Sequence, residues 1–294
     1  MPISTPVSRI VTHPGSAHKD DLLACALLVA SQGAAIERRE PVPEDLEDSS
    51  TAVVDVGGRY EPEKNNFDHH QFPKDDPPTC SLSLVLRAMD RYDAAKQFCS
   101  WLEPAEWFDC RGPNATAKHL GVPREAIHQL NSPIDVTLLR RFASLERIDP
   151  GDTIYEVLRM IGQDLIEYID GLLEKIAYID EHSELWSLLI EGERKSVLFL
   201  PRLDPLPPEP SAGLDLYVSR KGLEEKVVGL VYPDRRNTGY GLSRYNDKEC
   251  LDFTRLQDEA DVHFAHARGF VAKTIATDID RLRELIDQAR VKDD

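Results

Sequence analysis

The sequence predicts an α/β protein. A parallel-sheet N-terminal domain over 1–150 is joined by a connecting helix over 151–185 to a smaller mixed α/β domain over 186–294. Three observations predict this. Short apolar runs alternate with helical patterns through the first half. One long stretch then keeps a helical spacing of apolar residues, and short apolar runs return after it.

The first element is the run SRIVT, Ser8 to Thr12, a short buried strand that stops at Pro14-Gly15. A helical run from about Lys19 to Gln32 follows. Ile36 to Pro41 reads as a second strand, and Thr51 to Val56 as a third that ends in Asp55 and a Gly57-Gly58 turn. Helical patterning resumes from about Ser81 to Leu102. Strand-helix alternation favours a parallel sheet with helices on both faces. Such sheets bind ligands at the carboxyl ends of their strands, and His13 and Asp55 sit at such ends. From Asp152 to Glu184, Ile154, Val157, Leu158, Ile161, Leu165, Ile169, Leu172, Leu173 and Ile176 keep spacings of three and four, with Gly151-Asp152 as the start. Ser196 to Leu200, Leu214 to Ser219 and Lys226 to Tyr232 read as strands, and the proline-rich 201–210 as a loop between two of them. An amphipathic helix from about Asp278 to Arg290 closes the chain.

The charge balance is acidic, with a formal net charge of −17. This disfavours non-specific binding to polyanions and leaves room for a local basic groove. The five cysteines are scattered without CxxC spacing, which predicts reduced thiols in a cytoplasm. The apolar run Leu22 to Ala30 is too short to span a bilayer, and its polar surroundings argue against a signal peptide, so no membrane partner is expected.

Histidine and aspartate recur in three short clusters: Thr12-His13-Pro14-Gly15-Ser16-Ala17-His18-Lys19-Asp20-Asp21, Val53-Val54-Asp55-Val56-Gly57-Gly58 and Phe67-Asp68-His69-His70-Gln71. Imidazole with carboxylate suits manganese, iron or zinc. The ligands outnumber the needs of one tetrahedral zinc and fit two ions sharing a carboxylate. Such pairs serve phosphate-ester hydrolysis, where two cations activate a water.

These blocks, in this order, resemble the DHH phosphoesterase superfamily and most of all its MYG-type branch, with its T-H-x-G-x-x-H-x-D, D-V-G-G and F/Y-D-H-H-Q motifs. The match covers the first half. A weaker one lies in His266-Ala267-Arg268-Gly269-Phe270, similar to an H-x-x-G-F block of the branch's C-terminal domain. The resemblance implies two divalent ions, manganese foremost. His13, His18 and Asp55 would hold the first. Asp20, Asp55, His69 and a fourth-motif aspartate would hold the second, with Asp55 bridging. Asp109 is the chosen fourth aspartate, with Asp135 and Asp149 as rivals. His70 would face the phosphate, and Asp68 would orient its neighbours.

Other residues carry plainer readings. His119, His128 and His182 read as ordinary surface or core histidines. Asp21 reads as a solvent-facing residue at a helix start, where negative charge is favourable. The segment Asp234 to Tyr245 is an exposed hairpin or a phosphate-gripping element with Arg235, Arg236 and Arg244, joined by His266 and Arg268. The expected activity is hydrolysis of phosphodiesters at nucleic-acid ends or in short oligonucleotides, single-stranded RNA or DNA included. The alternatives are a hydrolase of a small phosphorylated molecule, such as pyrophosphate or a dinucleotide, and a metal-binding protein without turnover.

Overall fold

The computed structural model describes residues 5–129, 132–190 and 192–291, without the His128 side chain. It divides into two compact units, Met1–Asp170 and Gly171–Asp294. In the first unit the chain runs through β1 (Arg9–Thr12), α1 (Lys19–Gln32), β2 (Ala35–Arg38), α2 (Pro43–Glu47), β3 (Thr51–Val54), β4 (Tyr60–Glu61) and β5 (Asn66–Phe67). Helices α3 (Ser81–Ala88), α4 (Tyr92–Phe98), α5 (Leu102–Leu120), α6 (Arg124–Gln129) and α7 (Pro133–Ala143) follow, then β6 (Arg147–Ile148) and α8 (Thr153–His182), within which the division falls.

The six strands lie in the order β4-β5-β3-β1-β2-β6. The central pairs β1–β2, β1–β3 and β3–β5 are parallel, and antiparallel pairs close both edges. Ile10, Val11, Ala52, Val53 and Val54 have no exposed surface, as central parallel strands require. Helix α1 buries Ala24, Cys25, Ala26, Leu27 and Leu28 completely. Parallel β1 and β3 therefore end side by side, and the segments leaving them carry His13 and Asp55.

The helix expected over 81–102 is broken. Asp90 adopts a left-handed conformation with φ 58°. The Arg91 N–H reaches back to the Leu86 carbonyl at 2.9 Å, the long bond of a Schellman stop. Arg91 then forks onto Asp170, with Nε and Nη2 at 3.0 and 2.7 Å from its two oxygens. That fork fixes the break against α8.

The second unit holds β7 (Glu184–Ile190), β8 (Glu193–Phe199), α9 (Leu214–Arg220), β9 (Val227–Pro233), β10 (Tyr240–Arg244), β11 (Val262–Ala265), β12 (Val271–Thr274) and α10 (Ile279–Gln288). Its sheet order is β11-β12-β10-β9-β8-β7. The expected strand Leu214 to Ser219 is a helix. The pair β8–β9 is parallel, and parallel neighbours need a crossover. Leu214, Tyr217 and Val218 are buried at helical spacing. No described helix is long and apolar enough to cross a membrane.

Helix α8 meets α1 closely at one glycine. A Cβ on Gly162 would lie 2.0 Å from the Ala26 carbonyl oxygen, whereas one on Gly171 meets nothing within 4 Å. Gly162→Ala is therefore expected to destabilise by about 1–3 kcal/mol through overpacking. Gly171→Ala, on the same helix, is expected to be neutral or to stabilise by about 0.4–1 kcal/mol. Thermal unfolding of both variants checks this, and equal shifts would contradict the close approach.

Candidate metal centre

The loop leaving β1 is held from beneath by Arg38, 3% exposed at the end of β2. Its Nη1 donates to the carbonyls of Gly15 (3.2 Å) and Phe142 (3.3 Å), and its Nη2 to that of Ser16 (3.2 Å). Asp21 corrects the solvent-facing expectation, because it is fully buried. Its Oδ1 accepts from the backbone N–H of His18 and of Leu22, both at 2.8 Å, capping α1. Its Oδ2 lies 3.1 Å from His13 Nε2 and 3.8 Å from Arg38 Nη2. The carboxylate beside it raises the His13 pKa against burial.

Asp55 follows β3 with φ 59°, a left-handed conformation that aspartate tolerates better than most residues. Ser81 Oγ donates to its Oδ1 at 2.9 Å. Asp68, after β5, accepts from Gly58 N–H at 2.6 Å and from His70 N–H at 3.0 Å. Burial opposes its ionisation, but these donors hold its carboxyl below the usual range. Asp68 Oδ1 also lies 2.7 Å from His70 Nδ1, fixing an otherwise exposed ring.

Asp109 comes from α5. Buried Glu106, one turn earlier, accepts from Ser83 Oγ (2.7 Å), Tyr92 OH (2.8 Å) and Lys96 Nζ (3.1 Å), tying α3, α4 and α5 together. Asp109 then lies 3.0 Å from His69 Nε2 and 3.9 Å from His18 Nδ1. Its rivals are occupied elsewhere. Asp135 caps α7 through Ser132 and pairs with Lys19, and Asp149 pairs with Arg147.

Ligand atoms of four overlapping trios lie within 4.8 Å of one another: His13-His18-Asp55, His18-Asp20-Asp109, Asp55-His69-His70 and His69-Asp109-Cys110. Cys110, one of the scattered cysteines of the sequence, joins the last trio with its Sγ 3.8 Å from His69 Nδ1. The donor set fits divalent cations. Buried His13 Nε2, both carboxylate oxygens of Asp20, Asp21 Oδ2 and His69 Nε2 lack a hydrogen-bond partner. His69 Nε2 is 3.0 Å from Asp55 and Asp109 oxygens, close yet misaligned for an N–H bond. Burial opposes protonation of His69, but these carboxylates push its pKa up to about 12. Burial, then the charges of Asp55 and Asp109, push the Asp20 carboxyl well above its usual range. Positive charge is wanted at this point. A cavity of about 490 Å³ opens beside His13, His18, Asp55, His69, His70 and Asp109.

In the second unit the candidate residues separate. Arg235 and Arg236 are exposed on the β9–β10 turn, which Asp234, Asn237 and Arg202 pin. Arg244, His266 and Arg268 lie at the other end of β10, about 13 Å away at the usual rise per strand residue. The expected single patch is thus two. Arg244 is largely buried, donates to the Leu251 carbonyl and pairs with Asp247. His266 Nδ1 accepts from the Arg268 N–H at 3.1 Å, and its ring packs on Phe270. Of the plainer histidines, His119 stacks on Trp107 and His182 packs on Tyr178, while the side chain of His128 lies outside the described residues.

Residues 9–77 match the model of MYG1_exonuc, an uncharacterised protein family (UPF0160). MYG1 exonuclease of Homo sapiens is 48% identical over 66 residues, which cover 21% of this chain and 17% of that protein. MYG1 protein of Chlamydia pneumoniae is 41% identical over 70 residues, covering 22% of this chain and 23% of that one. The alignments span less than a quarter of either relative. Within them the segment is similar to MYG1 proteins. Two solved structures align over 96% of the chain. A DHH domain of a member of the s1p family of ribosomal proteins does so at 12% identity and TM-score 0.31, with 85% of that chain covered. RecJ of Thermus thermophilus in complex with Mn2+ does so at 15% identity and TM-score 0.30, with 51% covered.

Asp20 offers a test of the centre that needs no substrate. Asp20→Asn keeps the shape and removes a buried carboxyl whose ionisation burial, Asp55 and Asp109 oppose. The variant is expected to be more stable than the parent in chelator. It should also lose most of the stabilisation that manganese gives the parent, which grows with ligand concentration over Kd. Melting temperatures with and without manganese measure both, and an undiminished manganese shift would remove Asp20 from the ligand set.

Proposed function

We propose that the chain is a divalent-metal-dependent phosphoesterase that hydrolyses phosphodiester bonds at nucleic-acid ends or in short oligonucleotides. The convergence of ligands from three ordered motifs, with buried His13, Asp20 and His69 atoms left unpartnered, carries this reading. The N-terminal likeness to a relative named an exonuclease supports it. In this reading His13, His18 and Asp55 hold one ion, and Asp20, Asp55, His69 and Asp109 hold a second, with Asp55 shared. The ions, manganese by preference, supply Lewis-acid charge stabilisation and acidify water.

The protein's own groups do the rest. Asp68 fixes the His70 ring through Nδ1 and leaves Nε2 to meet a substrate phosphate in the cavity that His70 lines. Arg38 and Asp21 keep His13 in place. Arg235 and Arg236 at one end of the second sheet, and Arg268 with His266 at the other, are contacts for substrate phosphates. Arg244 keeps the His266 loop in shape rather than meeting solvent. The scattered cysteines, without CxxC spacing, suit a cytoplasmic protein. A second reading, hydrolysis of pyrophosphate or a dinucleotide, draws on the net charge of −17, which opposes long polyanions.

The test is a panel of oligonucleotides, dinucleotides, pyrophosphate and model phosphoesters offered to the manganese-loaded protein. Shortening of oligonucleotides, with binding that falls steeply as salt rises, is the expected result. Pyrophosphate as the sole responsive substrate would favour the second reading, and silence across the panel would sink both. Asp109→Ala should lower metal occupancy and reduce activity beyond the roughly 10–100-fold typical of an outer partner of a metal ligand. Asp135→Ala and Asp149→Ala should stay near the parent. A damaging Asp149→Ala would move the fourth ligand.

A further inference from the structure

The cavity beside the ligand cluster is also walled by Phe72, Lys74, Pro77, Pro78 and Arg111, to which no role has yet been given. We infer that Arg111 and Lys74 form a phosphate clamp within the first unit, and that Phe72 and the prolines beside it seat the nucleoside attached to that phosphate. The inference rests on the phosphoesterase reading and deepens it, because it makes a single nucleotide the group held next to the metal centre.

Charge carries the first step. The chain has 52 acidic residues against 35 Lys and Arg, so most cations find a carboxylate. Among the described residues, Arg111 and Lys74 are the only Lys or Arg lining this cavity. Among the described residues neither forms an ion pair, although Asp55, Asp76 and Asp109 line the same space. Arg111 Nη2 donates to the Asp76 carbonyl at 2.6 Å. That neutral acceptor orients the guanidinium and leaves its charge uncompensated. Its remaining donors form the fork that binds phosphate bidentately.

Backbone geometry carries the second step. Arg111 lies two residues after Asp109 in the last turn before Gly112, whose φ of 73° and ψ of 173° break α5. Glycine reaches that conformation without strain, and Pro113 starts the next helical segment. The proposed metal ligand and the proposed phosphate donor thus share one rigid turn, itself anchored by Glu106. Lys74 lies on the loop that Arg111 holds through Asp76. The apolar wall carries the third step. Phe72 packs edge-on to Tyr60 at 5.8 Å, and Pro73, Pro77 and Pro78 stiffen its loop. Inorganic phosphate alone has no use for such a wall. A cavity of about 490 Å³ fits one small ligand group rather than a length of polymer.

The full-length, manganese-saturated protein is titrated with inorganic phosphate and with a nucleoside 5′-monophosphate by calorimetry, with bound manganese measured separately. The parent should bind the nucleotide more tightly than phosphate. Arg111→Ala should weaken both by roughly tenfold to a hundredfold, as expected for a lost charged hydrogen bond. Arg111→Lys, which keeps the charge without the fork, should fall between. Lys74→Glu should also weaken both, and no fold-critical contact is at stake there, since Lys74 makes no hydrogen bond or ion pair among the described residues. Manganese content should be unchanged throughout. A parent that binds neither probe, or variants whose Kd stays within about twofold of the parent, overturns the clamp. So does a loss confined to Arg111→Ala with Arg111→Lys and Lys74→Glu unaffected, which would make Arg111 a latch for the 72–79 loop. Nucleotide binding without hydrolysis of any phosphoester would sink the phosphoesterase reading and leave the clamp. Hydrolysis with unaltered Kd and KM in the variants would do the reverse.

Discussion

Like-charge repulsion within one buried site is the constraint on which the first unit depends. Asp20, Asp21, Asp55 and Asp68 are each no more than 4% exposed and gather at one end of the sheet. Two carboxylates about 4 Å apart repel by roughly 4 kcal/mol at an effective dielectric near 20. A domain's whole net stability is about 5–15 kcal/mol, so the fold cannot leave several such pairs unanswered. Asp68 is answered by two backbone N–H groups, Asp21 by two more and by Arg38, and Asp55 by Ser81. Asp20 has no such answer. The proposed ions supply what the protein omits, which makes the centre a binding site for charge before it is anything else.

The scaffold is stiff where that charge sits. Parallel β1 and β3 bring His13 and Asp55 out side by side, and the left-handed backbone of Asp55 turns its carboxylate without a longer loop. Arg38 ties three carbonyls of two segments to one guanidinium. Glu106 gathers three donors from two helices in the same way and fixes the helix that carries Asp109. Neither residue belongs to a proposed trio, yet each sets the position of one that does.

Much of this was legible in the sequence because ligand chemistry is local. Two histidines and an aspartate within eight positions, then Asp55 at a strand end, then Asp68-His69-His70 fall into short windows whose geometry the strand and helix periods dictate. What was not legible depends on distant partners. Asp21 looked like a solvated helix-start charge, and only Arg38, 17 positions on, makes it a buried brace for His13. Leu214 to Ser219 has apolar residues compatible with either period, and the parallel pairing of β8 with β9 decides for helix. The arginines of the second unit share a composition but not a place, because β10 holds them at opposite ends.

The tetrapeptide Asp109-Cys110-Arg111-Gly112 joins these threads. Its aspartate faces His69, its cysteine touches the far nitrogen of the same ring, its arginine enters the cavity unpaired, and its glycine ends the helix. Sign then orders the events. Without ions, Asp55, Asp76 and Asp109 offset the positive charge of Arg111, Lys74 and His69 in the cavity wall. Once divalent ions sit among the carboxylates, the same wall turns attractive, and Arg111 and Lys74 add to the ions instead of opposing the aspartates. In the proposed reading, phosphate affinity therefore rises with metal occupancy. By linkage, phosphate bound in the cavity holds the metal more tightly in return.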